Sequence, residues 1–158
     1  MYRLIRAKET DLGKINNMSC DLLAKNQPPQ FDDECPVCHL VVEDGLARGF
    51  IMAAEDPSTV VGDAEKPTLR ITGLWLAELP TEKFTEALEF IMRATIINAR
   101  ADGIYERITI APADQYASQF EEWGFSEVET EEGGIDRSYL LEYLLDCCQG
   151  YCPFCRAC

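Results

Sequence analysis

Apolar positions along this chain follow two spacings, one strand-like and one helical, and the switches between them divide it into elements. Tyr2–Ala7 reads as a short strand. Thr10-Asp11 then offers an N-cap, and Leu12, Ile15, Met18, Leu22 and Leu23 recur at helical spacing as far as Lys25. Asn26–Glu34, with Pro28-Pro29, is a loop. A second helix is expected from Cys35-Pro36, with proline at its first position, carrying Val37, Leu40, Val41 and Leu46 as far as Gly49. Phe50–Glu55 reads as a strand with a turn at Asp56-Pro57-Ser58. Thr59–Gly62 reads as a further short strand before a turn over Asp63–Pro67. Leu69–Leu79 is a longer strand interrupted at Gly73, where a bulge is expected.

Thr81 can cap a long third helix. Its Phe84, Ala87, Leu88, Ile91, Ala94, Thr95 and Asn98 share one face, which Phe90, Ile96 and Ile97 widen, so the helix should pack deeply until Gly103 stops it. Arg107–Ala111 is a strand and Ala117–Trp123 a short helix ended by Gly124. Phe125–Thr130 and Ser138–Leu145 read as closing strands around a turn at Glu131–Gly134. No internal repeat interrupts this order. The expected organisation is one domain over residues 1–146 and a cysteine-rich tail over 147–158.

Composition narrows the possibilities. A hydrophobic share of 47% over 158 residues is enough for a packed core and excludes general disorder. No run approaches the ~20 apolar residues of a membrane span, and Met1-Tyr-Arg-Leu-Ile-Arg lacks a signal peptide's apolar segment. A cytoplasmic, non-membrane protein is expected, in a compartment where thiols stay reduced. With 28 acidic against 14 basic residues the net charge is −14, a poor surface for nucleic acid. From Glu121 to Asp146 nine carboxylates face only Arg137. Such a face keeps a protein in solution, and it also suits a cationic acceptor such as a small-molecule or peptide amine.

Cysteine is the unusual feature. Five of eight lie in the last twelve residues, and Cys152-Pro-Phe-Cys155 echoes Cys35-Pro-Val-Cys38. Two thiols at this spacing can share a soft metal ion or cycle through a disulfide. Cys148, Cys152, Cys155 and Cys158 supply four thiols for a tetrahedral site, most naturally for Zn²⁺, with Cys35 and Cys38 as alternative partners. At the expected start of a helix, Cys35 and Cys38 would be biased toward thiolate by the helix dipole. Cys20 reads as an inert core residue. His39, the only histidine, is a candidate ligand or base but more often a surface residue.

The order of elements, with three local segments, resembles the GNAT acetyltransferase family. The opening Tyr2-Arg-Leu-Ile-Arg-Ala-Lys-Glu-Thr-Asp-Leu12 is similar to that family's first strand and the start of its first helix. Leu74-Trp-Leu-Ala and Thr85-Glu-Ala-Leu-Glu-Phe-Ile91 sit where its cofactor-binding strand and helix would be, and Gln119-Phe-Glu-Glu-Trp-Gly-Phe125 resembles its Phe-Tyr-Glu-Lys-Leu-Gly-Phe segment. The resemblance covers roughly residues 2–145. It implies an α/β (α+β) fold with a mixed sheet of six or seven strands flanked by about four helices, opened between Leu69–Leu79 and Arg107–Ala111.

It also implies an acyl-CoA-dependent N-acyltransferase. Acetyl-CoA would lie along Leu76 and Leu79, with its phosphates at Pro80, Thr81, Lys83 and Thr85. Relatives cradle the pyrophosphate in a Gln/Arg-x-x-Gly-x-Gly/Ala loop, whereas here Pro80, Lys83 and Thr85 replace the three signature residues. The tyrosine that often protonates the departing thiolate aligns with Phe120, which has no proton to give, so Tyr116 is the candidate acid. Glu78 is the candidate base for an amine. The asparagine often found after the fifth strand is absent from Ala111-Pro112-Ala113. The alternative is a non-catalytic module on the same fold, holding a thiophilic metal or sensing redox state through its Cys-Pro-x-Cys pairs.

Overall fold

A computed structural model describes residues 1–56, 67–129 and 135–141. Its backbone is built around one antiparallel hairpin. Strand β1 (Tyr2–Arg6) leads through a 3₁₀ turn into a five-residue helix α1 (Leu12–Asn16), and a two-residue strand β2 (Cys20–Asp21) follows. Next come β3 (Val37–Glu43) and β4 (Leu46–Asp56). The helix expected at Cys35–Gly49 is therefore a strand and the beginning of its partner. Val37, Leu40 and Val41 do fall at helical spacing, yet they belong to a strand buried on both faces, where alternation disappears. Asp44 and Gly45 connect the two strands with φ of 51° and 80°. Two successive left-handed residues make the two-residue turn that matches strand twist.

The chain continues through β5 (Thr68–Leu76), helix α2 (Thr81–Asp102), β6 (Arg107–Ile110), α3 (Ala117–Glu122), β7 (Ser126–Glu129) and β8 (Ile135–Leu140). Helix α2 has the expected bounds, and Gly103 closes it at φ 67°. The first helix is far shorter than its apolar spacing implied, because Leu22 and Leu23 pack elsewhere. The short strand expected at Thr59–Gly62, the turn at Glu131–Gly134 and everything after Leu141 lie outside the described residues.

Among the described residues the strands join one mixed sheet in the order β1-β3-β4-β5-β6-β8-β7, with β2 on the stretch of β5 that β6 leaves. The pairings among them are antiparallel except β5 with β6. One face carries the larger core, where Ile51, Leu69, Ile71, Leu74 and Leu76 meet Leu88, Ile91, Met92 and Ile96 of α2. The other face carries a second core, in which Cys35, Cys38, Leu40, Phe50 and Met52 are covered by Ala7, Ile15, Met18 and Phe31. The bulge expected at Gly73 is present: Met52 pairs with Gly73 and Ala53 with Ile71, leaving Thr72 as the extra residue. A Cβ on Gly73 would stand 2.6 Å from the Trp75 ring, so a larger residue there would force that ring to shift. At the far edge Arg70 pairs with buried Asp136, and Arg137 bridges Glu121 and Glu127 at 3.1 and 3.3 Å.

Gly45 gives a direct test of the hairpin. Gly45→Val places a β-branched residue at positive φ, which costs about 1–2 kcal/mol. Urea unfolding should show the midpoint falling accordingly, whereas an unchanged midpoint would contradict the turn geometry.

Candidate functional site

Strands β5 and β6 run parallel only briefly. Thr68, Leu69 and Arg70 pair with Arg107, Ile108 and Thr109, and the two strands then part at the bulge. Beyond that point β5 continues to Leu76 and leads through Ala77–Pro80 into α2. The parted strands and the start of α2 form the groove in which the sequence placed an acyl-CoA donor.

The start of α2 suits an anion in one respect. Its N-cap position is Pro80, not Thr81, and no side chain caps the helix. The N–H groups of Thr81, Glu82 and Lys83 therefore have no intrahelical acceptor. The Thr85 hydroxyl donates back to the Thr81 carbonyl at 3.1 Å, so it is directed into the helix. Charge works the other way. Lys83 Nζ lies 3.6 Å from Glu43 and 3.8 Å from Glu86, and Glu82 stands in the same turn. Lys83 is thus partly compensated by carboxylates, and it shares Glu43 with Arg48, 3.4 Å from that carboxylate.

The strand edge is also taken. Residues 20–27 run between β5 and β6 as a strap. Cys20 and Asp21 pair antiparallel with Leu76 and Trp75. Leu22 N–H donates to Leu74 O at 3.1 Å, and Gln27 N–H to Thr72 O at 2.9 Å. The Leu74 N–H donates to Asn26 Oδ1 at 2.7 Å. Across the gap Ala24 N–H donates to Ala111 O and Ala113 N–H to Leu22 O, each at 2.9 Å. Leu22 and Leu23 are buried in the α2-side core. Local pattern does not encode this strap: its partners are about 50 and 90 residues away, and its leucines fall at helical spacing.

Of the proposed catalytic residues, one packs against the first turn of α2 and the other lies on the link leading into it. Tyr116 is half-buried and stacks on Phe84 of the first turn of α2, with ring centroids 5.8 Å apart. It therefore stands beside the helix start. Glu78 is exposed in the link between β5 and α2. Leu76 is fully buried, and Leu79 is packed against the larger core. Phe120 is fully buried and meets Trp123 and Phe125 edge-on at 5.6 and 5.5 Å. Position 120 is closed to solvent, so Phe120→Tyr would have to bury its hydroxyl and is not expected to supply an acid.

Cys35 and Cys38 are not at a helix start, and no dipole favours their thiolates. Both are buried under the second core, where Cys35 donates to Val37 O at 3.1 Å and Cys38 to Gln30 O at 3.2 Å. Burial raises both thiols, Cys38 from 9.0 to about 11 with the neighbouring Cys35 adding to the effect. Among the described residues no cluster of three or more histidine, cysteine or acidic side chains forms a metal site. Cys148, Cys152, Cys155 and Cys158 lie outside those residues. Cys20 is half-exposed at the strap's start. His39 is half-buried beside Arg6, and both burial and that cation lower its pKa. It lines a cavity of about 270 Å³ between the Arg6 end of β1 and the last turns of α2, at the opposite end of the sheet from Leu76.

This sheet, with its parallel pair parting before a long buried helix, is the GNAT acetyltransferase fold. Solved structures bear this out. The ribosomal-protein-S18-alanine N-acetyltransferase of Escherichia coli matches with a TM-score of 0.61 at 14% identity, over 89% of this chain and 94% of that one. The aminoglycoside N(6')acetyltransferase of Legionella pneumophila matches with a TM-score of 0.60 at 9% identity, over 92% and 95%. The N-acetylglutamate synthase of Neisseria gonorrhoeae, solved with coenzyme A and N-acetyl-glutamate, matches with a TM-score of 0.57 at 13% identity, over 89% of this chain and 35% of that chain. No protein-family model and no curated protein sequence matches the chain. No helix among the described residues is long and apolar enough to cross a membrane.

The thiols provide a test of this geometry. The folded Cys38 thiol keeps its proton to about pH 11, against 9.0 for an ordinary one. Its contribution to stability is therefore full below pH 9 and lost as pH rises toward 11. Iodoacetamide at pH 8, mapped by mass spectrometry, should modify Cys20 readily, and Cys35 and Cys38 only after urea is added. Native labelling of Cys38 at the Cys20 rate would contradict the burial.

Proposed function

We propose that this protein is a GNAT-type N-acyltransferase that takes an acyl-CoA donor in the groove between β5 and β6. The observation that carries the reading is the parting of this parallel pair at the Thr72–Gly73 bulge, directly before the uncapped start of α2. The free N–H groups of Thr81, Glu82 and Lys83 face an incoming phosphate there, with Pro80 and Thr85 flanking them. The backbone from Leu76 to Leu79 guides the thioester arm.

In the reaction, the acceptor amine forms a new C–N bond at the thioester carbonyl and the C–S bond breaks. Glu78 receives the amine proton, and Tyr116, beside the helix start, returns one to the departing thiolate. The acidic surface draws a cationic amine toward the groove. A solution enzyme of the cytoplasm, needing neither nucleic acid nor membrane, fits this chemistry.

A second reading, a GNAT-fold module without transfer activity, is favoured by the strap on the β5 edge and by buried Phe120. In the form that includes Zn²⁺ it rests on the spacing of Cys148, Cys152, Cys155 and Cys158 alone.

Acetyl-CoA titration by calorimetry and a thiol-release assay with spermidine separate these readings. The account expects acetyl-CoA binding well weaker than micromolar, together with measurable CoA release. Tyr116→Phe should lower kcat by about 10²-fold, the scale of general-acid catalysis, while leaving donor affinity unchanged. An unaltered kcat would remove Tyr116 from the chemistry. Absence of both binding and release, with the strap opened, would leave the non-catalytic reading.

A further inference from the structure

We infer that residues 20–27 are a built-in occupant of the donor groove, so that acyl-CoA binds only when this strap leaves the β5 edge. The inference deepens the acyl-CoA reading and rests on it. Between the bulge and α2, the edge of β5 facing β6 presents Thr72 O, Leu74 N–H and Leu74 O, and these groups pair with Gln27 N–H, Asn26 Oδ1 and Leu22 N–H. Further along, Trp75 and Leu76 pair with Asp21 and Cys20. On the β6 side, Ala111 O and Ala113 N–H pair with Ala24 and Leu22. A donor arm that runs from the start of α2 past Leu76 and back along β5 to Leu74 and Thr72 would need these same groups, so on that path the strap and the donor exclude each other.

The strap has a strong and a weak part. Leu22 and Leu23 anchor its middle in the core. From Ala24 to Gln27 it holds by individual hydrogen bonds, with Ala24, Lys25 and Gln27 exposed. Asn26 is the central fastening. Its Oδ1 accepts from Leu74 N–H, and its Nδ2 donates to Asp21 Oδ1 at 3.3 Å, tying the two halves of the strap together. Pro28 and Pro29 follow and have no N–H to extend the pairing. The strap can therefore open from this end, and a closed majority reduces apparent donor affinity by the fraction open.

The experiment compares wild type with Asn26→Ala by acetyl-CoA calorimetry, and follows trypsin cleavage after Lys25, which requires the strap to leave the groove. Asn26→Ala leaves Leu74 N–H without its acceptor in the closed state only. We expect it to tighten acetyl-CoA binding about tenfold, equivalent to about 1.4 kcal/mol, and to speed cleavage after Lys25. Saturating acetyl-CoA should speed the same cleavage in wild type. The inference is overturned if Asn26→Ala speeds cleavage without changing a measurable donor affinity, or if bound acetyl-CoA leaves Lys25 protected; either result spares the acyltransferase reading. Faster cleavage in the variant, with no donor binding to either protein, would overturn the acyl-CoA reading and the gate with it. Circular dichroism confirms that the variant is folded.

Discussion

A strand edge inside a protein must find donors and acceptors, because an unpaired buried amide or carbonyl costs about 1–3 kcal/mol. Strand β5 has such an edge from Thr72 to Leu76, created when β6 turns away after Thr109. Much of the structure around the groove follows from how this edge is satisfied. The bulge at Thr72–Gly73 marks where the strands part, and residues 20–27 fill the gap that results. That use of the chain limits α1 to five residues and places Leu22 and Leu23 in the core under α2.

Elements specified by local pattern were legible in the sequence. Helix α2 was readable to the residue, since a long apolar stripe and a left-handed glycine stop are local signals. The bulge at Gly73 followed in the same way, whereas the opening between β5 and β6 was an expectation of the family resemblance. Strand β3 was not legible, although Asp44-Gly45 is a strong hairpin signal. Val37, Leu40 and Val41 fit a helical stripe, and burial on both faces removed the alternation that would have corrected it. The strap was hidden for a deeper reason: its partners on β5 and β6 are distant in sequence, and no local periodicity encodes a non-local pairing.

The site was legible in part. Replacement of the loop glycines by Lys83 and Thr85 pointed to a compromised phosphate cradle, and the pairing of Lys83 with Glu43 and Glu86 agrees. Tyr116 stacks on Phe84 beside the helix start, while the acid role proposed for it came from the resemblance. Phe120 and the Cys35/Cys38 pair read differently once burial was known. The thiols carry raised pKa values and hydrogen-bond to carbonyls beneath a second core, which makes them packing residues of that face. The fold is thus the GNAT fold, with Lys83 held by carboxylates at the start of α2 and the β5 edge filled by residues 20–27.

The central claim is that residues 20–27 pair with β5 and β6 in the resting protein, and backbone hydrogen exchange without ligand tests it most directly. The account predicts that the amides of Leu22, Leu74 and Ala113 exchange as slowly as those in the interior of β4. It also predicts intermediate protection for Ala24 and Gln27, on the exposed stretch of the strap. Exchange of Leu22 and Leu74 at the rate of an open loop would mean that the groove stands empty and that the strap is not a structural element of this fold.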